Sequence, residues 1–263
     1  MRSGLLCKLG GIWSLVLCLA AGKALAQTTP PGLQGTNLAA WLALTANQPW
    51  SPRLTTQAFV GGSTQSDPDN WNPTRKLGVL VLNQETFYQL RQGLRVALCN
   101  SYRLYGNYAT AEPYEMLPEG YRQELRVYTR LNYRHAAGPR WDLSYTLRPE
   151  YRMFYTQRWE AFSPSTSIRT RAGVQATYTL NPRNALVLGA EAFGDTREDG
   201  LSWSPYRFTQ VRGAAFWQNR LSDRALVNLG LMHQQLYQPD GWGRAATYLS
   251  GEVVWLNPLG LRR

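Results

Sequence analysis

Along most of the chain the hydrophobic pattern has a period of two. The clearest case runs from Tyr121 to His135: Leu125, Val127, Thr129, Leu131 and Tyr133 share one face, while Arg122, Glu124, Arg126, Tyr128, Arg130, Asn132 and Arg134 share the other. From Trp141 the scheme repeats. Leu143, Tyr145, Leu147, Tyr151, Met153 and Tyr155 alternate with Asp142, Ser144, Thr146, Arg148, Glu150 and Arg152. A third segment sets Ile168, Ala172, Val174, Ala176, Tyr178 and Leu180 against Arg169, Arg171, Gln175 and Thr177. Alternation of this length predicts long β-strands with one apolar and one charged face. Weaker segments of the same kind lie at 37–45, 53–61, 76–88, 94–105, 184–194, 206–218, 225–237 and 245–256. No region keeps a helical period, and after residue 26 no run is apolar for the length of a membrane helix.

The connections alternate in length. Short ones fall at 46–52, 89–93, 135–139, 181–183 and 219–224, with turn residues such as Gln92-Gly93 and Asn181-Pro182-Arg183. Long ones fall at 62–74, 107–120, 156–166, 195–205 and 238–244 and hold many of the acids, among them Asp67, Asp69, Glu112, Glu198 and Asp240. Short turns alternating with long loops are the layout of an outer-membrane barrel. Aromatic residues near strand ends, such as Trp141, Tyr155, Tyr133, Tyr206 and Trp217, suit the girdles of such a barrel. The predicted fold is all-β: an antiparallel transmembrane β-barrel forming a single domain over 37–263. Eleven segments are visible, and because single-chain bacterial barrels have even counts, the expectation is about 12 strands, with 10 as the alternative. A twelfth would lie in a long loop or before residue 37. The competing fold is a soluble sandwich or a soluble lipocalin-like barrel, in which the same apolar faces form a core and the charged faces meet water.

The first 26 residues read differently. Arg2 and Lys8 precede an apolar run from Leu9 to Ala21, and Ala24-Leu25-Ala26 is followed by Gln27. This is a charged start, a short apolar centre and a small-residue site, so residues 1–26 are expected to be a signal peptide cut between Ala26 and Gln27, leaving 27–36 as a short N-terminal segment. A lipoprotein anchor at Cys18 fails because Leu17 occupies the position that needs a small residue. Beyond the cut Cys99 is the only cysteine, so no intramolecular disulfide is expected.

Composition then narrows the picture. The chain of 263 residues carries 28 Lys plus Arg against 17 Asp plus Glu, a net charge of +11. Secretion disposes of nucleic acid as the reason for that excess. After residue 26, Lys76 is the only lysine and every other cation is arginine. Arginine's planar fork holds several carboxylates in a confined space, which points to internal ion-pair networks.

These residues also resemble a known family. The start around Trp41, the strand Tyr121-Arg-Gln-Glu-Leu-Arg-Val-Tyr-Thr-Arg-Leu-Asn-Tyr133 and its successor Trp141-Asp-Leu-Ser-Tyr-Thr-Leu-Arg-Pro-Glu-Tyr-Arg152 resemble the domain-of-unknown-function family numbered 2490, over most of 37–256. The resemblance implies a bacterial outer-membrane barrel with arginine- and glutamate-rich central strands. It implies no activity and no catalytic residue. One departure is the end of the chain, where Leu256 to Arg263 extends past the alternating Gly251-Glu-Val-Val-Trp255.

The candidate site is the charged face: Glu124, Arg126, Arg130, Arg148, Glu150 and Arg152, with Arg169 and Arg171 from the next strand. The expected pairs are Arg126 and Arg130 with Glu150, and Arg148 or Arg152 with Glu124. Two roles are open: a structural network that plugs a narrow barrel, or a cation-lined constriction favouring anions. Acidic, aromatic loops acting in adhesion or assembly, and a soluble periplasmic binding protein, complete the alternatives. An enzyme is not expected. Of the two histidines, His135 has no serine on its turn, and the nearest serine to His233 on the next strand is Ser250. Asp67-Pro-Asp69-Asn70 lacks a full calcium ligand set and reads as a loop turn, so no metal and no cofactor is expected. The expected partners are outer-membrane lipid, the insertion machinery and periplasmic chaperones. Any small solute is left open.

Overall fold

A computed structural model of the protein describes residues 36–109, 111–200, 202–238 and 241–260. The expected signal peptide, its cut between Ala26 and Gln27, and nearly all of the 27–36 segment lie outside these residues. The described chain contains no helix. In order, the strands are β1 (Leu38–Pro49), β2 (Leu54–Gln65), β3 (Lys76–Arg91), β4 (Leu94–Tyr105), β5 (Arg122–Ala136), β6 (Trp141–Tyr155), β7 (Ala161–Asn181), β8 (Asn184–Asp199), β9 (Ser202–Trp203), β10 (Arg207–Ser222), β11 (Ala225–Gln238) and β12 (Gly241–Leu256). Each long strand pairs antiparallel with the next, and β8 pairs with β10. The two-residue β9 pairs only with the tip of β8, through Glu198 and Asp199, and takes no part in the wall.

The ring closes through β1 and β12, which run parallel from Leu38 opposite Thr247 to Asn47 opposite Leu256. This corrects the expected count. Among the described residues the wall has eleven strands, the eleven that alternation shows, and neither 12 nor 10. A meander with an odd number of strands brings its first and last strands together pointing the same way. A parallel ladder still satisfies both edges, so closure does not require an even number. The closed ring also excludes the two-sheet sandwich.

Strands are longer than their hydrophobic alternation suggests. β7 begins at Ala161, β8 runs to Asp199 and β12 starts at Gly241, so much of three segments expected as loops is paired hairpin. There both faces are polar or mixed, as in Ser163, Ser165 and Thr166, and the period of two fades although the backbone pairing continues. After β12 the chain folds beneath β1: the Asn257 amide donates to the Asn47 carbonyl (2.8 Å) and the Leu259 amide to Gln48 Oε1 (3.0 Å).

The faces are sorted opposite to those of a soluble domain. Leu42, Leu82, Leu98, Leu131, Leu147, Leu188, Leu231 and Leu249 are exposed on the outside, Leu42 by 70% and Leu98 by 66%. Tyr133, Tyr145, Trp141, Trp217 and Trp255 are exposed outside near the short turns, and Tyr206, Phe208, Tyr237 and Trp242 near the other end. The buried interior is mostly polar and charged, with small apolar clusters such as Trp41, Phe59, Val79 and Val81.

Candidate functional site

The lumen-facing residues of β3, β5, β6 and β7 meet in the middle of the barrel. Antiparallel register sets Arg126 opposite Arg152, Arg148 opposite Arg171 and Glu150 opposite Arg169. Two of these three direct pairs would place guanidinium against guanidinium, so those arginines reach diagonally to the carboxylates. Glu124 receives Arg126 Nε and Arg152 Nε, both at 2.5 Å on Oε1, and the Tyr105 hydroxyl donates to its Oε2 at 2.6 Å. Glu150 forms ion pairs with Arg148 Nε and Arg171 Nε at 2.7 Å each, and its Oε2 accepts hydrogen bonds from Arg126 Nη1 at 3.0 Å and Arg171 Nη2 at 3.3 Å. Glu85 on β3 accepts from Arg130 Nη1 and from the Tyr128 hydroxyl, each at 2.6 Å. All three glutamates are buried at 0–1% exposure, where an uncompensated charge is very costly. Their burial is tolerable because each carboxylate meets two or three charge-assisted donors.

Aromatic rings complete the packing of the guanidinium planes. Arg148 lies 3.6 Å from the Tyr128 ring centre, and Arg212, Arg171 and Arg169 surround Phe193 at 4.7, 5.0 and 5.8 Å. Two outlying pairs extend the network along the wall: Arg169 with Asp195 at 2.9 Å and Arg212 with Glu191 at 3.1 Å.

All eight arginine and glutamate residues expected at the site face the lumen and join this network. Two expected pairs form, Arg126 with Glu150 and Arg152 with Glu124. One does not: Arg130 turns to Glu85 rather than Glu150, while Arg148, the alternative partner for Glu124, pairs with Glu150 and approaches Glu85 (3.6 Å). The reason is Glu85, which sequence reasoning missed along with Glu191, Asp195 and Arg212. All four lie in strands of mixed polarity. Lumen parity was the available signal, since Glu85 alternates with Gln84 and Thr86, but these outward neighbours are polar and hide it.

Between the network and the short turns lies a cavity of about 690 Å³. Gln57, Gln89, Asn132, Ser144, Thr146, Gln175, Thr177, Gln218 and Asn228 line its wall, Arg130 belongs to its inner end, and Gln92, Gly93, His135 and Asp142 stand at its mouth. Toward the other end, Lys76 reaches Asp67 at 2.6 Å and lies 4.6 Å from the Tyr108 ring centre. Burial raises the Asp67 carboxyl, but the hydrogen bonds from Lys76 and Arg75 outweigh this and hold it below the usual aspartate range. Asp67 therefore anchors its loop to two cations. Cys99 is buried against Phe87, Ala97 and Tyr128, facing the lumen as its parity indicates. His233 is outside, bonded to Thr247 at 3.1 Å, whereas Ser250 is buried and lumen-facing. The serine and histidine weighed as a pair are thus on opposite faces.

Compared with known families, residues 38–244 match the profile of DUF2490, described as a protein family of unknown function. This is the family that the Trp41, Tyr121–Tyr133 and Trp141–Arg152 segments resemble. No curated protein matches the chain.

Proposed function

The chain belongs to the DUF2490 family, and from the wall of its closed barrel we propose that it is an outer-membrane barrel sealed at its waist by the arginine–carboxylate network. The observation that carries this reading is the apolar belt. Large aliphatic side chains stand exposed on strands right around the ring, with Trp and Tyr toward both ends. In water such a surface is far larger than a monomer tolerates. In a bilayer it meets hydrocarbon, and the rings meet headgroups. Export by the N-terminal signal, delivery by periplasmic chaperones and insertion through the C-terminal strand complete the reading, with the polar cavity opening at the short-turn, periplasmic end.

The test is membrane fractionation followed by gel mobility of unheated and boiled samples. A folded barrel in the outer-membrane fraction that runs compact cold and shifts on heating supports the proposal. Recovery in the soluble periplasmic fraction with no heat shift overturns it. Planar-bilayer recording then tests the seal, and a barrel closed at its waist shows no steady conductance.

A second reading, passage of small anions, has its own observation. Among the described residues, eight buried strand arginines face five buried strand carboxylates, an imbalance that draws anions toward the network. Steady anion-selective current through the unaltered protein would favour it.

A further inference from the structure

The outer wall of β2–β4 carries a chain of hydrogen bonds that runs to the middle of the strands. The Trp50 indole donates to Thr56 Oγ1 at 2.9 Å, Thr56 Oγ1 lies 3.2 Å from Thr86 Oγ1, Gln84 Nε2 donates to Thr86 Oγ1 at 2.5 Å, and Asn100 Nδ2 donates to Gln84 Oε1 at 2.7 Å. Gln84 and Asn100 are directly paired at the middles of β3 and β4. They point outward, into the same belt as Leu82, Leu98 and Val127, which are exposed by 49%, 66% and 49%. Other outward amides among the described residues, such as Asn184, Asn219 and Gln235, stand near strand ends, where headgroups and water begin.

Gln84 uses both ends of its amide within this chain. Asn100 uses one N–H, and among the described residues its Oδ1 and second N–H have no hydrogen-bond partner. In hydrocarbon an open amide is expensive, and interhelical or interstrand hydrogen bonds are the usual relief. Resting on the outer-membrane reading, we propose that the β2–β4 wall is the interface with a second copy of this chain, centred on Asn100. Two copies inserted the same way share their orientation across the bilayer, so a two-fold axis along the membrane normal sets each residue opposite itself at equal depth. An amide is its own complement: two Asn100 side chains exchange two N–H···O bonds. Leu82, Leu98 and Val127 supply the surrounding apolar contact and exclude competing donors.

The test uses the full chain in its own membranes, in a Cys99→Ala background so that the introduced cysteine alone reacts. Leu98→Cys, treated with a short bismaleimide, is expected to give a band at twice the monomer mass. Leu188→Cys, on β8 across the ring, is expected to give none. Adding Asn100→Leu to Leu98→Cys is expected to lower the dimer yield about tenfold, the size of one or two intramembrane hydrogen bonds, while the heat shift of the monomer stays intact. A dimer band indifferent to Asn100→Leu, a cross-link to a protein of another mass, or a heat-shifting barrel that stays monomeric each overturns the inference alone. A chain recovered soluble and without a heat shift overturns the outer-membrane reading beneath it.

Discussion

Glu85 and Arg130 are joined at 2.6 Å although β4 lies between their strands. The bridge passes over Ala97, which pairs with Arg130, and Cys99, which pairs with Glu85. Both are small and buried, and a large side chain at either position would block the path. The curvature of a narrow barrel does the rest, bringing alternate strands within reach of one another on the concave side.

Replacing Glu85 by Ala removes the carboxylate that Arg130 meets and one of the two acceptors of the Tyr128 hydroxyl, leaving Asn83 Oδ1 as the other. Breaking a buried pair from one side costs roughly 3–5 kcal/mol. The expected result is a lower urea midpoint for the detergent-folded barrel, followed by tryptophan fluorescence. An unchanged midpoint would show that the bridge contributes nothing to the fold.

Glu150 holds three guanidiniums, those of Arg126, Arg148 and Arg171. With Glu150→Ala their mutual repulsion has no centre to offset it. The expected outcome is either an earlier unfolding transition or the appearance of conductance in a planar bilayer. Unfolding and conductance both equal to the parent protein's would remove the network from the argument.

Cys99 lies at 1% exposure. A maleimide reagent is expected to leave it unlabelled in the folded barrel and to label it after boiling. Labelling at equal rates in both states would place the β3–β5 wall elsewhere than described.

The Asp67 loop has a defined pH response. Its carboxyl is held below the ordinary value by Lys76 and Arg75 after burial has pushed the other way. Its stabilising contribution is therefore fully present above the ordinary aspartate pKa of about 3.9 and is lost as pH falls through the lowered value. Pepsin cleavage within 66–75 is expected to stay slow at pH 4 and to quicken toward pH 2. The Asp67→Asn variant is expected to lose that dependence, and equal acid sensitivity in the two proteins would refute the role of Asp67.

Much of this protein is legible one residue at a time. Side-chain parity in a strand is a local property, so alternation alone assigns Leu125 through Tyr133 to one face and Glu124 through Arg134 to the other, and the structure keeps that assignment. The same reasoning shows eleven strands, the turns between them and the lumen-facing arginines. What the sequence left open depends on distance along the chain. Whether an odd meander can close is decided by β1 meeting β12 across some two hundred residues. Which carboxylate an arginine takes is decided by the register and curvature that bring β3 beneath β5. Glu85 stands 45 residues from Arg130, in a strand whose outward neighbours are polar, so nothing local marks it as a partner. By itself the sequence determined which way each side chain of the central strands points, because a strand's pleat has a period of two. Only the closed ring decided which charges meet, because that depends on how far the wall bends.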